Sequence, residues 1–379
     1  MALPALMAEL VEEILLRLPP DEPEHLFRAG AVCKAWRRIL FDDSGFRRRY
    51  CRFHRKHRPL LGYVHNVSLR EGVQFVPTTT FLPPPPPAAA SYSYRAIDCR
   101  HGRVLIDTSE CGPPGFIVWD PTTGDQQHLR FPAHAQENLS SFTGAVLCAV
   151  DGCDHLDCHG GPFLVVCVGG RCTEGTHAVG VENTWASVYS SQAGAWSAQT
   201  SSIDYYVAAR EPSLLIGDAL YFAVCSTAIL KYDLSRHGLS LIETPRTSYK
   251  SVPIDIDGGL GLVEPYRNWI YTWSQQLDDG ANGVGGWLQH NVVKLETLIP
   301  TRRRVIWPPY NSDDVIRFVE GTDTVLFSLN NYYIDQGVFT LDLKSRKVRK
   351  VAETWHRHIL PYTCFYTPDL AMGKQLSPR

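Results

Sequence analysis

The strongest chemical pattern in the chain is a cluster of cysteines and histidines in the stretch CDHLDCHGGPFLVVCVGGRC. Its members are Cys153, Cys158, Cys167, Cys172, His155 and His159. Thiolates and imidazoles are the ligands of structural zinc, which usually takes them from tight knuckles of about two to four intervening residues. Against zinc, the segment PFLVVCVGG predicts a buried strand in which Cys167 is a small core residue. We therefore expect no metal and no other cofactor, and a zinc site is the alternative.

Other candidate motifs for catalysis are weak. The glycine-rich segments 258–262 and 278–286 neither follow a strand and open a helix nor precede a Gly-Lys-Ser/Thr sequence, so they do not predict a phosphate site. The sequence contains no His-Glu-x-x-His and no Gly-x-Ser-x-Gly motif. His155 and Cys158 lack a distinct third residue that would orient a Cys–His nucleophile pair. The sequence thus predicts a protein without catalytic residues.

Length and composition favour a turn-rich β protein of more than one domain. A chain of 379 residues predicts two or three domains, and 29 glycines, 26 prolines and 17 tyrosines are typical of many short strands. Residues 1–70 carry 13 Lys and Arg against 8 Asp and Glu, a net charge of +5, whereas the remainder carries 24 against 31, a net of −7. The basic excess lies in residues 46–59, which we interpret as a solvated helix face. Nuclear targeting and an acidic contact are the alternatives.

The sequence predicts a soluble protein of the cytoplasm and/or nucleus. Glu9, Glu12 and Glu13 interrupt the apolar N-terminal run, so it does not resemble a signal peptide. No apolar stretch reaches the roughly 18 residues that predict a membrane span, so we expect no membrane partner. Eleven cysteines without a signal peptide indicate free thiols in a reducing compartment.

The N-terminal segment LVEEILLRLPP predicts an amphipathic helix. One face carries apolar side chains at helical spacing: Leu10, Val11, Ile14, Leu15 and Leu18. Pro19 and Pro20 end the helix because proline lacks the backbone N–H and clashes with the preceding turn. Further apolar residues at this spacing, with a break near Gly30, predict three helices within residues 1–50. Fifty residues cannot bury all of this apolar surface, so the surplus predicts a patch that another protein covers.

Residues 51–93 are expected to be a linker, in which Pro83 to Pro87 favour an exposed, semi-rigid polyproline II spacer. From residue 94 the pattern changes to period two with hairpins. A polar turn position recurs after an apolar strand at Asp120, Ser190, Asp233, Glu296 and Asp342. The intervals between these positions along the chain are irregular, which is typical of propeller blades with inserted loops. The predicted fold class is α + β multidomain, with three N-terminal helices followed by an all-β propeller-like domain of roughly five or six blades.

The segments LMAEL, ILLRLP and VCKAWR resemble an F-box, whose pattern is Leu-Pro-x-Glu/Asp-Leu, Ile-Leu-x-x-Leu-Pro and Val-Cys-Lys-x-Trp-Arg. Met7 stands where the first proline is usual. The segments HGRVLI, VWDPTTG, VYSSQAGAWS and ILPYTCFYTP are similar to the F-box-associated β-propeller-like region of plant, especially grass, F-box proteins. The resemblance covers nearly the whole chain.

The resemblance implies a substrate-recognition subunit of an SCF-type ubiquitin ligase. Residues 1–50 would be the F-box that binds a Skp-family adaptor and, through it, a cullin–RING ligase, while residues 94–379 would hold an unknown protein target. The implied adaptor surface consists of Leu6, Met7, Leu10, Ile14, Leu15, Leu18, Pro19, Val32, Cys33 and Trp36. An F-box scaffold acting outside a ligase and a propeller enzyme are the alternatives.

Target recognition is expected in loops, because propeller specificity lies in the connections between strands. The candidates are segments 151–161, 171–182 and 278–286, and we expect one loop face of the propeller, and not the proline run, to bind the target. The negative charge of residues 71–379 favours a neutral or basic protein target. A nucleic acid is disfavoured, because binding it would require a basic face.

Overall fold

The structure, a computed structural model, begins with helices and continues as six β-sheets. It describes residues 7–41, 44–66, 72–87, 94–109, 114–133, 141–172, 181–199, 202–203, 212–225, 228–245, 251–266, 269–276, 286–299, 315–329, 336–356 and 358–372. A short helix, α5 (Pro368–Met372), ends the described chain.

The N-terminal part, here called the helical domain, has four helices where three were expected. They are α1 (Ala8–Leu16), α2 (Glu24–Val32), α3 (Lys34–Phe41) and α4 (Ser44–Phe53). The break falls at Cys33, whose backbone is extended (φ −159°, ψ 165°), and not near Gly30. Gly30 stays helical because its missing side chain makes room for the Phe41 ring. The helix break is therefore set by backbone conformation at one residue and not by the glycine.

The core of the helical domain joins all four helices. Its fully buried side chains include Leu15, Leu26, Leu40, Phe46 and Tyr50. Residues at the end of α4 and just after it contact carbonyls at the end of α1 and just after it: the Tyr50 hydroxyl donates to the Leu18 carbonyl at 2.9 Å, and His54 Nε2 lies 2.8 Å from the Leu16 carbonyl. The last carbonyls of a helix lack intrahelical donors, so these contacts satisfy groups that would otherwise need water.

Six antiparallel sheets form the blades of a propeller, which confirms the predicted class and gives six as the number of blades. Blade 1 contains β3 (Arg95–Arg100), β4 (Arg103–Asp107), β5 (Gly115–Trp119) and β6 (Gln126–Arg130). Blade 2 contains β7 (Ser141–Cys148), β8 (Phe163–Cys172), β9 (Val181–Ser190), β10 (Ala195–Trp196) and the short β11 (Ser202–Ile203). Blade 3 contains β12 (Leu214–Ile216), β13 (Ala219–Cys225), β14 (Ala228–Asp233) and β15 (Gly238–Glu243).

The second half of the ring has the same design. Blade 4 contains β16 (Val252–Ile256), β17 (Gly259–Tyr266), β18 (Trp269–Gln275) and β19 (Trp287–Lys294). Blade 5 contains β20 (Val315–Val319), β21 (Thr324–Leu329), β22 (Gly337–Asp342) and β23 (Val348–Ala352). Blade 6 contains β24 (Ile359–Thr363), β1 (Leu60–Asn66) and β2 (Val73–Pro77). The first strand of each complete blade is the inner one, and hydrophobic clusters fill the spaces between neighbouring blades.

Blade 6 corrects the expectation that residues 51–93 are only a linker. Strand β1 pairs with β2 on one edge and with the C-terminal strand β24 on the other, so the two ends of the chain close the ring. The proline run is not an exposed spacer either. Phe81 before it is buried against Tyr362 and Tyr366, and Pro87 at its end is buried. The segment LLGYVHN forms β1 and belongs to the propeller, because β24 pairs with the second hydrogen-bonding edge of this strand.

Four of the five predicted hairpin turns are confirmed, at Asp120, Ser190, Asp233 and Asp342. In each, the side-chain oxygen accepts a hydrogen bond from a backbone N–H two or three residues later. The residue four positions on has a positive φ: Gly124, Gly194, His237 and Arg346. The fifth turn, at Glu296, was wrong. Leu295–Thr297 is a 3₁₀ helix after the outer strand of blade 4, because Leu295 and Ile299 are buried in the core between blades.

Acid is expected to destabilise blade 6 through His65 on β1. Its ring is buried and lies 4.0 Å from the His356 ring, and burial followed by the charge of His356 lowers its pKa to about 4. A lowered histidine pKa means that its contribution to stability is complete above the unfolded-state pKa of about 6.5 and is lost as the pH falls toward 4. Protonation of this single side chain is expected to lower the free energy of unfolding by up to about 3 kcal/mol.

Urea unfolding at pH 7.5 and pH 5 measures this dependence. We expect His65→Gln to lose less stability between the two pH values than the wild type does, because glutamine takes up no proton. The exposed His128 is the control position, and His128→Gln should keep the wild-type dependence. Equal pH dependence in His65→Gln and the wild type would contradict the assignment.

Candidate functional site

The helical domain exposes a row of large apolar side chains. Met7, Leu10 and Ile14 are 65%, 47% and 45% exposed, and Val32 at the end of α2 is 64% exposed. Positions 7, 10 and 14 follow the i, i+3, i+7 spacing of one helix face, whereas Val11 and Leu15 on the adjacent face are buried in the core. One amphipathic helix therefore carries two apolar stripes. The inner stripe holds the domain together, and the outer stripe is open to solvent.

This arrangement divides the ten residues of the expected adaptor surface. Met7, Leu10, Ile14, Val32 and Cys33 are exposed, and Leu18, Pro19 and Trp36 are half-buried. Leu15 is a correction, because it is 0% exposed in the core and has no surface to offer a partner. Leu6 lies outside the described residues. The five exposed residues are hereafter called the outer stripe.

The basic run does not form only a solvated face, because it holds the helical domain to the propeller. Arg47 donates from Nε to Asp157 and from Nη1 to Asp369, both at 2.8 Å. Arg58 donates from Nη2 to the His155 carbonyl at 2.8 Å. Leu156 packs against the core of the helical domain. An intramolecular acidic contact is thus the interpretation that the structure supports for Arg47.

These contacts also correct the expected target surface. Segment 151–161, the connection between β7 and β8, lies against the helical domain through Asp157 and Leu156 and is not a free recognition loop. We call this the helix side of the propeller; it also carries the first-to-second and third-to-fourth strand turns of the other blades. Strands β18 and β19 end on this side around 278–286, whereas β8 and β9 end on the opposite, far side around 173–180. The residues at both tips lie outside the described chain, so the expectation that segments 171–182 and 278–286 bind the target stays a prediction.

A cleft of about 860 Å³ separates the helical domain from the propeller. Basic side chains line the wall on the side of the helical domain, and acidic side chains line the wall on the side of the propeller. The basic wall includes Arg17, Lys56 and Arg58, and the acidic wall includes Asp255, Asp257 and Asp323. Opposite charges across this cleft favour one placement of the helical domain on the ring.

A second cavity, of about 540 Å³, lies over the inner strands and contains a buried ionic network. Arg100 of β3, only 2% exposed, donates to Asp98 at 2.9 Å, to Glu320 at 2.6 Å and to the Ser213 carbonyl at 2.7 Å. Burial raises the pKa of Asp98 to about 7, although Arg100 opposes that shift. Since Arg100, Ser213 and Glu320 come from blades 1, 3 and 5, this network connects the blades across the ring.

Three buried residues form a chain that resembles a Cys–His–Asp catalytic group. His159 Nδ1 lies 2.6 Å from Asp120 Oδ2, and His159 Nε2 lies 2.9 Å from Cys364 Sγ. Burial alone would lower the pKa of His159, but Cys364 and Asp120 outweigh it and raise that pKa well above its ordinary value. All three side chains are less than about a tenth exposed, and none of them lines the two cavities described above. The chain links blades 1, 2 and 6, and we interpret it as structural.

The structure brings together a different cysteine cluster from the one expected. Cys148, Cys153, His155 and Cys158 offer four ligand atoms that all lie within 4.8 Å of one another. Cys167 lies instead in the core between blades 1 and 2, as its apolar strand predicted, and the side chain of Cys172 is outside the described part. Sequence reasoning missed Cys148, although the spacing Cys-x4-Cys-x-His-x2-Cys was present as a signal.

Family models match both parts of the chain. Residues 8–52 match the F-box-like model, and residues 95–369 match a model described as "F-box protein AT5G49610-like, beta-propeller". An F-box followed by a β-propeller is the arrangement of an F-box substrate adaptor. This chain belongs to the AT5G49610-like β-propeller family of F-box proteins, since that model covers most of its length.

Solved structures show similarity at low identity. TolB from Acinetobacter baumannii is 12% identical with a TM-score of 0.45, over 80% of this chain and 66% of TolB. The chain thus spans just under two thirds of that protein. An oligogalacturonate lyase in complex with manganese is 8% identical with a TM-score of 0.33, over 68% of this chain and 77% of the lyase. No curated protein matches the sequence. Within the described residues, no helix has the length and apolar character needed to cross a membrane.

Proposed function

We propose that the protein is the substrate-recognition subunit of an SCF-type E3 ubiquitin ligase, and that its outer stripe binds a Skp-family adaptor. The observation that carries this proposal is the exposure of Met7, Leu10, Ile14 and Val32 on a folded F-box-like domain. Burying one such side chain contributes roughly 1.5 to 3 kcal/mol, so leaving four in water favours a partner that covers them.

The catalytic contribution in this proposal is proximity. The adaptor would connect the helical domain to a cullin–RING ligase, while the propeller holds the target beside the ubiquitin-conjugating enzyme. Holding both partners in one complex converts an intermolecular transfer into a locally unimolecular one. Such a receptor needs no catalytic residue, which is consistent with the buried position of the Asp120–His159–Cys364 chain. We place the protein in the cytoplasm or nucleus, because a reducing compartment suits its free cysteines.

The strand pairing in blade 6 also supports a division of the chain that differs from the expected one. We propose a helical F-box of residues 7–53 and a propeller that begins at Leu60 and continues to the end of the described chain. The support is the pairing of β1 with β24, which makes residues 60–77 part of blade 6.

Reconstitution tests the proposed function. The purified chain is mixed with a Skp adaptor, and the mixture is analysed by size-exclusion chromatography. A stable one-to-one complex is expected. Adding cullin–RING and the ubiquitin-activating and conjugating enzymes should then give ubiquitin transfer to the chain itself or to a bound target. Failure to form the complex at micromolar concentrations would contradict the proposal. A complex that supports no transfer would favour the F-box scaffold acting outside a ligase.

The far side of the propeller is the proposed target surface. The helical domain covers the helix side, and no helix within the described residues covers the other. Replacing residues 173–180 between β8 and β9 with a Gly-Ser segment should reduce target ubiquitination at least tenfold and leave adaptor binding unchanged. The matched control replaces the β14–β15 turn, residues 235–237, on the helix side. If the control variant loses target binding and the far-side variant keeps it, the target surface lies on the helix side and the proposal is wrong.

A further inference from the structure

The cysteine cluster at the β7–β8 connection has the composition of a structural metal site. Three thiols and one imidazole converge there: Cys148 at the end of β7, and Cys153, His155 and Cys158 within the connection. Cys158 is buried, and the other three side chains are half-buried. Soft thiolates with an imidazole in a set of four are the ligands typical of tetrahedral zinc.

Two separations between the ligand atoms agree with those of a tetrahedron around zinc, and all four atoms lie within 4.8 Å of one another. Cys153 Sγ lies 3.7 Å from Cys158 Sγ, and Cys158 Sγ lies 3.7 Å from His155 Nδ1. With Zn–S bonds of about 2.3 Å and a Zn–N bond of about 2.0 Å, tetrahedral geometry requires S···S of about 3.8 Å and S···N of about 3.5 Å. A disulfide would require the two sulfurs to be about 2.05 Å apart. The observed separation therefore matches two ligands of one ion and not a covalent pair.

The backbone around the cluster supports the same geometry. The Val150 N–H points to Cys148 Sγ at 3.5 Å, and the His155 N–H points to Cys153 Sγ at 3.4 Å. Such donors stabilise the negative charge of thiolate ligands. His155 has a φ of +55°, a conformation that is unfavourable for a residue with a side chain and that turns the chain between its neighbouring ligands.

Two guanidinium groups lie next to the cluster. Arg103 donates from Nη2 to the carbonyls of Cys158 and Gly161 at 2.7 and 2.6 Å, and Arg58 donates to the carbonyl of His155. Three thiolates, a neutral imidazole and Zn²⁺ would carry a net charge of −1, which a nearby guanidinium group would offset. His101 completes the shell, since its ring stacks on His155 at 4.0 Å and its Nδ1 accepts the Cys148 N–H.

We propose that Cys148, Cys153, His155 and Cys158 bind one structural Zn²⁺ ion, which stabilises the contact between the helical domain and the propeller. This replaces the expectation of a metal-free protein and does not depend on the proposed ligase function. The same loop supplies Asp157 to Arg47 and Leu156 to the core of the helical domain. A zinc ion between its two ends would therefore hold these contacts in place.

Metal analysis of the untagged full-length protein tests the site. Purified under reducing conditions from zinc-containing medium, the chain should contain about one zinc per molecule. Cys153→Ser and Cys158→Ser should each lose most of that zinc. Two controls should keep it: Cys33→Ser, which removes an exposed thiol elsewhere, and Cys167→Ala, which removes the cysteine of the strand. Less than about a tenth of an equivalent in folded wild type, or full zinc in Cys153→Ser, would overturn the proposal.

Spectroscopy of the wild type keeps the proposal testable if the ligand variants fail to fold. X-ray absorption at the zinc edge should show three sulfurs and one nitrogen, and Co²⁺ in place of zinc should give intense thiolate charge-transfer bands. A shell without sulfur would overturn the site. So would an intact mass 2 Da below the reduced value, from a disulfide between Cys153 and Cys158. Removing the ion with a chelator should increase protease cleavage between the helical domain and the propeller, and unchanged cleavage would refute the proposed structural role.

Discussion

Replacing Ile14 with aspartate is expected to abolish binding of the Skp-family adaptor while leaving the propeller folded. Ile14 is 45% exposed in the outer stripe next to Leu10, so a carboxylate there disturbs no core contact. In a complex that covers the stripe, the carboxylate would be buried without a partner. Truncating a large side chain at the centre of an interface often costs 2 kcal/mol or more, and an unpaired buried charge adds to that, so we expect at least about a hundredfold loss of affinity.

Two further variants separate this loss from unfolding. Leu288→Asp introduces the same charge at a leucine that is 49% exposed on the outer strand of blade 4, and it should bind the adaptor normally. Leu15→Ala removes a core side chain and should destabilise the helical domain by about 2 to 5 kcal/mol without a local effect on the stripe. Isothermal titration calorimetry with the purified adaptor measures the affinities. An Ile14→Asp protein that binds as well as Leu288→Asp would disprove the adaptor assignment.

Replacing Arg100 with methionine is expected to cause a large loss of stability in the ring. The substitution leaves Asp98 and Glu320 without their shared cation, and Asp98 is only 1% exposed. Breaking a buried ion pair by removing one partner typically costs about 3 to 5 kcal/mol. The loss should be greater at pH 8.5 than at pH 6, because Asp98, whose pKa is already about 7, can take up a proton at the lower pH.

Urea unfolding of matched variants measures this effect. Arg95→Met makes the same change on the same strand, but the Arg95 side chain is 32% exposed, so a loss of about 1 kcal/mol or less is expected. The double variant Asp98→Asn with Arg100→Met should regain part of the lost stability, since it removes the uncompensated carboxylate. Equal losses for Arg95→Met and Arg100→Met would show that the network does not connect the blades as described.

Local sequence patterns predicted the repeating unit of the propeller correctly. A polar turn residue after an apolar strand identified four hairpins, because a five-residue turn satisfies its hydrogen bonds within itself. The same reasoning wrongly predicted a hairpin turn at Glu296, because Leu295 and Ile299 are buried in the core and the chain forms a 3₁₀ helix there. It also failed at the linker, because no local signal shows that β1 will pair with β24, almost 300 residues later.

The F-box motif residues show a similar division. Their identity and helical spacing predicted an amphipathic helix and surplus apolar surface from the sequence. Which side chains face the solvent depends on where α4 packs, so the sequence placed Leu15 and Ile14 on one stripe, and only the fold separates them. The role of the basic run was also undetermined, because Asp157 and Asp369, the partners of Arg47, come from distant loops.

The sequence by itself therefore determined the class of the protein: helices with an unburied stripe, followed by a repeated four-stranded hairpin unit. Those features depend on periodicity and turn chemistry, which act over a few residues. Only the tertiary structure decided which cysteines meet. Cys167 fits the spacing of a metal ligand but points into the core between blades, whereas Cys148 lies at the end of β7, where the strand leads directly into the loop of Cys153 and Cys158. The alternation of side chains along a strand and the path of the loop determine which cysteines come together. The geometry of a metal site depends on distance in space and not on spacing along the chain.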